Sequence, residues 1–451
     1  MNLIYGIKDK PKFGQTILFA LQQLLAIMAA TIAVPSIVGN GMSQTAALFG
    51  AGVGTLVYLL FTKFRSPVFL GSSFAFLGSM FAAFAGAGSV VALGYLGLII
   101  GALFAGLVYV VLAVVVKFCG VKWIDKLMPA VVIGPTVAII GLSLAGNAVG
   151  DLMGSSAGFD AGSAGSYVCI VCGLITLAVT MLCSVFGKKM LRLIPFIIGI
   201  LAGYIAASIF TVIGISTGNP QLQIVNFSLF ASMTWVPDFT FLTAFKGFGS
   251  LSASYIATVA VAYVPVAFVV FAEHIADHKN LSTIVGQDLL EDPGLHRTLL
   301  GDGIGSFAGA IFGGCPNTTY GESIGCVAIS GNASVVTILC TAVLAIVISF
   351  FGPFATFLAT IPSCVMGGVC IALYGFIAVS GLKMIQHVDL NRNRNLFVVS
   401  VILIAGVGGM ALNFGSVTIT EVACALILGI LTNVLLAKED TSEEKPQQLI
   451  K

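Results

Sequence analysis

Charged side chains are scarce in this sequence: they make up 8% of its 451 residues, whereas 58% are hydrophobic. A soluble domain of this length needs a much more polar surface, so a mean hydropathy of +1.08 excludes the ordinary soluble classes. The 20 basic and 18 acidic residues nearly cancel, and a formal net charge of +2 gives no indication of nucleic-acid binding. The composition indicates a membrane protein.

Histidine is also scarce, with four residues, and the ten cysteines lie almost wholly in apolar runs. Cysteines in such surroundings are usually small, buried and unreactive. Cys169 and Cys172 form a C-x-x-C pair, but it lies in an apolar run and has no second pair to complete a zinc site. The sequence therefore does not favour a redox or zinc centre, and we expect no cofactor.

Long polar stretches are missing as well, because apolar runs follow one another along nearly the whole chain. Runs of about 20 apolar residues are typical of helices that cross a bilayer, and they are too long and uniform for barrel strands. We therefore predict an all-α polytopic membrane protein with about fourteen transmembrane segments. The predicted segments are 15–38, 44–62, 68–84, 89–117, 129–150, 166–186, 192–215, 252–276, 297–313, 319–333, 334–359, 364–380, 394–411 and 418–437.

The basic residues support this count and orient the chain. When the segments are numbered from a cytoplasmic N-terminus, all of the 20 basic residues except Lys246 fall on the cytoplasmic side. Such a bias is the rule for helical membrane proteins, and one miscounted segment would destroy it downstream. We therefore predict that both termini are cytoplasmic, with residues 438–451 as a polar, disordered tail.

The chain contains two halves of similar layout. In the first half, "LQQLLAIMAATIAVP" is followed by the polar break "FLGSSFAFLG"; in the second, "FVVFAEHIADH" is followed by "PNTTYGESIG". Seven segments per half is an odd number, so the second half must be inverted in the membrane. Inverted repeats with interrupted helices near the bilayer midplane are typical of transporters. We therefore predict two inverted seven-span repeats with discontinuous third and tenth spans.

The two polar breaks have the composition of a ligand site. Serine, threonine and glycine favour unwound turns, which expose backbone groups that lipid cannot satisfy. Phe74 and Tyr320 each offer an aromatic face, and Glu322 adds a carboxylate that membrane spans rarely carry without a function. The alternative is a pair of kinked helices that serine and threonine side chains close by hydrogen bonds, with no ligand.

A second polar cluster, "AEHIADH", ends the eighth segment. Glu273 and Asp277 are four residues apart and share one helix face, while His274 and His278 share a neighbouring face. Two carboxylates close together in a low dielectric do not both ionise easily, so we expect one to hold a proton near neutral pH, as proton coupling requires. The alternative is a structural hydrogen-bond network. Asp302, at the start of the ninth segment, is interpreted as a complement to the helix dipole.

The same cluster allows a metalloenzyme as an alternative. His274, Asp277 and His278 have the spacing of a metal-binding helix, with Asp where inverted zinc proteases carry Glu. Such a site needs a third ligand and an activated water. The other two histidines, His296 and His387, lie in loops among charged residues, so the sequence favours no metal site and no enzyme.

Five motifs resemble one known family. "GSSFAF", "AEHI", "DPGLHR", "PNTTYGE" followed by "IG", and "PSCVMGG" occur in the order and spacing of the nucleobase–ascorbate transporters, also called nucleobase:cation symporter 2. The likeness runs from about residue 13 to 437 and is strongest to the bacterial members that carry uracil. It implies fourteen spans in two inverted repeats, divided into a core domain and a gate domain.

The resemblance also implies domain boundaries and an assembly. The core would comprise residues 1–120 and 250–360, and the gate 121–249 and 361–437. Members of the family dimerise through the gate, so a homodimer is an expectation. The resemblance places the protein in the cytoplasmic membrane, with the lipid bilayer around it.

The family's site residues carry over by position. Glu273 and Glu322 would bind the substrate through their carboxylates, Phe74 and Tyr320 would hold its ring, and Gly321 would offer a backbone contact. Glu273 would also be the proton-coupling residue, with the neighbouring histidines and second acid of its helix as a route to the cytoplasm. The resemblance thus implies a proton-coupled symporter that imports uracil by movement of the core against the gate.

Two alternatives remain open. A purine carrier for xanthine or urate belongs to the same family, but such carriers tend to have Gln at the position of Glu322. Ser323 and Ser330 depart from the usual Asn and Thr of the family signature, and some uracil carriers have His at the position of Asp277. A pore is the alternative from another class, but it would need a continuous polar lining rather than one polar cluster.

Overall fold

Long apolar runs become helices because a helix satisfies its own backbone hydrogen bonds, which lipid cannot do. The computed structural model describes residues 3–120, 129–188, 190–386, 388–414 and 417–436. The predicted tail 438–451 lies outside these residues, and so does His387. The helices are α1 Phe13–Val38, α2 Gln44–Phe61, α3 Leu77–Ala87, α4 Val91–Cys119, α5 Ala130–Ser143, α6 Ala145–Leu152, α7 Ala164–Phe186, α8 Met190–Leu193, α9 Pro195–Thr217, α10 Thr240–Ala244, α11 Ala253–Val285, α12 Leu295–Gly313, α13 Gly321–Ser330, α14 Val335–Ser349, α15 Gly352–Thr360, α16 Ser363–Ile385, α17 Asn393–Val407 and α18 Glu421–Leu435. The strands are β1 Leu70–Ser72, β2 Asn317–Thr319, β3 Leu412–Phe414 and β4 Val417–Ile419.

These helices confirm an all-α polytopic membrane protein. Within the described residues, eight helices are long and apolar enough to cross a membrane, or nine if α14 and α15 form one bent span. A helix lies in each of the fourteen predicted segments, but several are too short or too polar to meet this criterion. The number of crossings and the inverted repeat therefore stay predictions.

The predicted eleventh segment is not one straight helix. Its two parts, α14 and α15, meet at an angle of 82° around residues 350–351. Gly352 and Pro353 follow directly, and proline favours the first turn of a new helix because its ring cannot continue the previous one. The sequence does not predict this bend, because the apolar pattern continues across it.

The predicted third and tenth segments both begin as extended chain. β1 precedes a single helical turn, Phe74–Phe76, and then α3; β2 directly precedes α13. The two strands pair antiparallel, with Gly71 opposite Thr318, although they are far apart in sequence. At each polar break a short strand therefore precedes the helix, and the discontinuity of the two spans stays a prediction.

The helices pack closely in two groups. In the first, α12 packs against α2 and α4, α11 against α3 and α4, and α14 against α1 and α2. In the second, α16 packs against α5, α6 and α7, α9 against α7, and α17 against α5 and α18. The first group carries β1 and β2.

Helix α11 extends far enough to bring its last turns alongside β2. Ser252 caps its start, because the Ser252 hydroxyl accepts a hydrogen bond from the backbone N–H of Tyr255 at 3.2 Å. Gly286 caps its end with φ of +71°, a conformation that glycine adopts without strain. These caps define a helix of 33 residues that carries the "AEHIADH" cluster.

Candidate substrate site

The paired strands form the base of the candidate site. Besides the strand pairing, the backbone N–H of Ser73 donates to the carbonyl of Pro316 at 2.9 Å, which extends the contact by one residue. Asn317 anchors β2 to α2, since its side-chain amide donates to the carbonyl of Gly50 at 3.0 Å. Gly309 makes room for this amide: a Cβ there would lie 2.0 Å from the Asn317 nitrogen. The two breaks are therefore held together rigidly.

A cavity of about 50 Å³ lies beside the strands. The five residues that the sequence predicts to bind substrate all line this cavity. Its other walls come from residues next to these and from two helices of the second group, α5 and α16. The full lining is Ser73, Phe74, Ala75, Ile140, Glu273, Thr318, Thr319, Tyr320, Gly321, Glu322, Leu373 and Ile377.

Two carboxylates face this cavity from different elements. Glu273 projects from α11 and Glu322 from the first turn of α13, and both are half-buried. The start of a helix favours a negative charge, so the backbone stabilises the Glu322 carboxylate there. The structure records no hydrogen bond between the Glu273 carboxylate and another described residue. Both groups are thus placed to accept hydrogen bonds from a ligand.

The two aromatic residues are held by different contacts. The hydroxyl of Tyr320 donates to the carbonyl of Ser72 at 2.6 Å, and its ring covers Gly71, where a Cβ would lie 2.3 Å from the ring. Phe74 meets Tyr374 of α16 edge to face, with ring centroids 5.9 Å apart. Because the Tyr320 hydroxyl is already bonded, Tyr320 offers its ring rather than its hydroxyl to a ligand.

Asp277 is hydrogen-bonded to a residue of the cavity lining. The Thr319 hydroxyl, on β2, donates to Asp277 Oδ2 at 2.6 Å. The role of Thr319 is not predictable from the sequence, because a threonine in a polar turn has many ordinary partners. This bond ties the second acid of α11 to the strand that borders the cavity.

The two histidines of α11 face the helices behind the strands rather than the cavity. Their rings stack with centroids 4.1 Å apart, and both residues are fully buried. His274 bonds through Nδ1 to Asp302 Oδ2 at 2.7 Å and through Nε2 to Thr298 at 3.0 Å. His278 bonds through Nδ1 to the His274 carbonyl at 2.8 Å and through Nε2 to the Tyr58 hydroxyl at 2.8 Å.

These contacts bear on two interpretations of the sequence. All four ring nitrogens have hydrogen-bond partners, so neither histidine presents a free nitrogen to a metal ion.

The interpretation of Asp302 as a helix-start acid is wrong. Helix α12 begins at Leu295, which places Asp302 about two turns inside it, and its carboxylate bonds to His274.

Ser323, which departs from the family signature, has a structural role. Its hydroxyl accepts hydrogen bonds from the side-chain amide of Gln23 at 2.5 Å and from the backbone N–H of Phe69 at 3.2 Å. Ser323 therefore joins α13 to α1 and to the residue before β1. In the sequence Gln23 stands within an apolar motif, and its partner lies too far along the chain to be predicted.

The sequence matches known permeases over nearly its whole length. A model of the "Permease family" (Xan_ur_permease) matches residues 14–414. The uracil permease of Bacillus caldolyticus is 41% identical over 96% of this chain and 94% of its own length. The uracil permease of Bacillus subtilis is 40% identical over 97% of this chain and 98% of its own length, and that of Escherichia coli K12 is 37% identical over 94% and 92%.

Solved structures show the same fold at low sequence identity. The transmembrane domain of the cyanobacterial bicarbonate transporter BicA is 16% identical, with a TM-score of 0.64, and covers 95% of this chain and 100% of that domain. The murine anion transporter Slc26a9 is 14% identical, with a TM-score of 0.67, and covers 96% of this chain and 70% of that one. At these identities the likeness concerns the fold alone.

The family match excludes the metalloenzyme alternative, because the family consists of permeases rather than enzymes. Apolar helices long enough to span a bilayer, together with this match, make the protein a multi-pass membrane protein. The chain belongs to the nucleobase–ascorbate transporter family of permeases.

Proposed function

We propose that the protein is a symporter that imports uracil together with protons across the cytoplasmic membrane. The observation that carries this proposal is the cavity beside β1 and β2, which gathers two carboxylates, two aromatic rings and two helix starts in a chain with few polar residues. Three relatives at 37–41% identity bear the name uracil permease.

The lining matches the chemistry of uracil. Uracil is flat and neutral, with two ring N–H donors and two carbonyl acceptors. The carboxylates of Glu273 and Glu322 accept from N–H groups, and backbone N–H groups at the starts of the turn Phe74–Phe76 and of α13 donate to carbonyls. The rings of Phe74 and Tyr320 contact the flat faces. Gly321 allows close approach: apart from its chain neighbours and its own helix backbone, no atom of a described residue lies within 4 Å of where its Cβ would be.

We further propose the domain organisation that the family resemblance implies. Fourteen spans in two inverted repeats form a core, 1–120 and 250–360, and a gate, 121–249 and 361–437. The two packing groups of helices support this division, and so does the cavity, whose lining includes residues of both groups. Sliding of the core against the gate would open the cavity to each side in turn. The gate also provides the proposed homodimer contact.

Labelling of single cysteines tests the predicted orientation. A cysteine introduced within 151–165 or 216–240 is expected to react from outside the cell with an impermeant thiol reagent, whereas one at 383–394 is not, because the predicted spans place these loops on opposite sides. The native Cys119, exposed at the end of α4, provides a control that reacts only with a membrane-permeable reagent. The opposite pattern contradicts the orientation and the inverted repeat.

Competition for uptake tests the substrate. Uptake of labelled uracil is expected to fall strongly with excess unlabelled uracil, and little with xanthine or urate, because Glu322 stands where purine carriers tend to have Gln. Thymine probes the space around one ring carbon. Stronger competition by xanthine than by unlabelled uracil would show a purine carrier instead.

A further inference from the structure

A second, smaller cavity lies behind the strand pair, on the side of the buried histidines. Its volume is about 10 Å³, which is about the space that one water molecule needs. Thr318 of β2 lines both this cavity and the candidate substrate site, so the strand separates the two. Asp302 and Ser306 of α12, Tyr109 of α4, and Asn317 also line it.

Three of the residues that line this cavity carry a polar side-chain atom without a described partner. Asp302 Oδ1, Ser306 Oγ and the Tyr109 hydroxyl are buried, and none makes a hydrogen bond to another described residue. The three side chains are 1%, 5% and 3% exposed, respectively. Buried polar groups are almost always paired, and where protein supplies no partner an ordered water commonly does.

The groups are held in place by their surroundings. Asp302 and Ser306 are four residues apart on α12 and therefore share a face. Tyr109 comes from α4, which approaches α12 closely at Gly303, where a Cβ would lie 2.6 Å from the Tyr109 Cβ. The Tyr109 ring also meets the His274 ring edge to face, at 6.2 Å. A ligand in this cavity would therefore meet a pre-formed site.

We propose that this cavity binds one water molecule, held by Asp302, Ser306 and Tyr109. A buried water typically makes two to four hydrogen bonds, and the cavity offers three unpaired side-chain oxygens. Hard metal cations such as Mg²⁺ and Ca²⁺ take about six or more oxygen ligands, twice the number of those unpaired oxygens. The size and the polar groups of the cavity both fit water.

Tyr109 and Ser306 are positioning residues in this arrangement, because they hold the water that contacts the Asp302 carboxylate. Asp302 bonds to His274 through Oδ2 and to the water through Oδ1, so the water determines the orientation of the carboxylate against the histidine. The water also lies directly behind Thr318. The buried network of α11 and α12 thereby extends to the strand that borders the candidate substrate site.

X-ray radiolysis of the purified full-length protein in H₂¹⁸O, followed by mass spectrometry, tests the proposal. Radicals formed from a bound water oxidise the side chain beside it, so Tyr109 is expected to gain ¹⁸O severalfold faster than two control tyrosines. Tyr263 is fully buried, has an unpaired hydroxyl and does not line this cavity; Tyr58 is fully buried with its hydroxyl bonded to Ser66. Labelling of Tyr109 no faster than that of Tyr263 overturns the proposal.

A cavity-filling variant and a change of salt give independent readouts. Ala105 lines the cavity, and Ala105→Val adds two methyl groups to it, so labelling of Tyr109 is expected to fall to the level of Tyr263. Unchanged labelling in this variant would show that the water lies elsewhere and would overturn the proposal.

Wild-type labelling is expected to be equal in NaCl and choline chloride. A drop in NaCl would show that a cation displaces the water and would likewise overturn it.

Discussion

Glu322→Gln is expected to weaken uracil binding by about 10- to 150-fold, the equivalent of roughly 1.5–3 kcal/mol for a charge-assisted hydrogen bond. The proposed carboxylate accepts from a ring N–H, whereas an amide in the same place presents an N–H₂ group for half of its orientations. The position is sensitive because Glu322 stands in the first turn of α13, where the helix start favours a negative charge.

Calorimetry on the purified protein measures this change in the dissociation constant. Glu291→Gln is the matched control, since Glu291 is exposed and lies outside the cavity lining, and its uracil affinity is expected to equal that of the wild type. Wild-type affinity in Glu322→Gln would show that this carboxylate does not contact the substrate.

Glu273→Gln is expected to abolish concentrative uptake. Glu273, Glu322 and Asp277 lie in or beside one low-dielectric cavity, and the described residues of its lining include no lysine or arginine. Mutual repulsion favours a proton on one of them, and a substrate that prefers one protonation state then couples its movement to that proton. Glu273 is the proposed acid because it projects into the cavity without a hydrogen bond to a described residue.

Uptake into membrane vesicles gives the size of this effect. If one proton accompanies each neutral uracil, a potential of 100 mV supports an accumulation of about 50-fold, since it supplies about 2.3 kcal/mol per charge. Wild-type uptake is expected to rise as external pH falls and to lose accumulation with an uncoupler. In Glu273→Gln the internal concentration is expected to stop at the external one.

An exchange assay separates coupling from binding. At saturating uracil, Glu273→Gln is expected to exchange internal for external uracil, because exchange needs no net proton movement, and Glu291→Gln is expected to match the wild type in both assays. Uncoupler-sensitive accumulation in Glu273→Gln would place the coupling acid elsewhere, with Asp277 or Glu322 as the next candidate.

The positions of the site residues follow from local sequence. "GSSFAF" and "PNTTYGES" interrupt apolar runs, and a polar break in a membrane span must face protein or a cavity. Phe74, Tyr320, Gly321 and Glu322 therefore had to lie near such a break, and the cavity lining contains all four. Glu273 was placed beside them by the resemblance of its motif to a known family. Their roles in binding and coupling stay predictions.

The class of protein also follows from local sequence. Hydropathy over windows of about 20 residues reports whether a segment is soluble in lipid, and this property depends on each segment alone. For the same reason the sequence predicts the positions of the helices well, but not their bends and exact ends. The 82° bend between α14 and α15 and the early start of α12 at Leu295 depend on packing that no single window contains.

Only the tertiary structure decided which polar groups meet. Gly71 pairs with Thr318, and Thr319 bonds to Asp277, across stretches of chain that carry no common pattern. Asp302 is the clearest case: its position in sequence indicated a helix-start acid, but the fold brings it against His274. Its second carboxylate oxygen has no described partner, and the residue lines a water-sized cavity. Hydrogen bonds have a range of about 3 Å, so partners are defined by the packing of helices in space and not by periodicity along the chain.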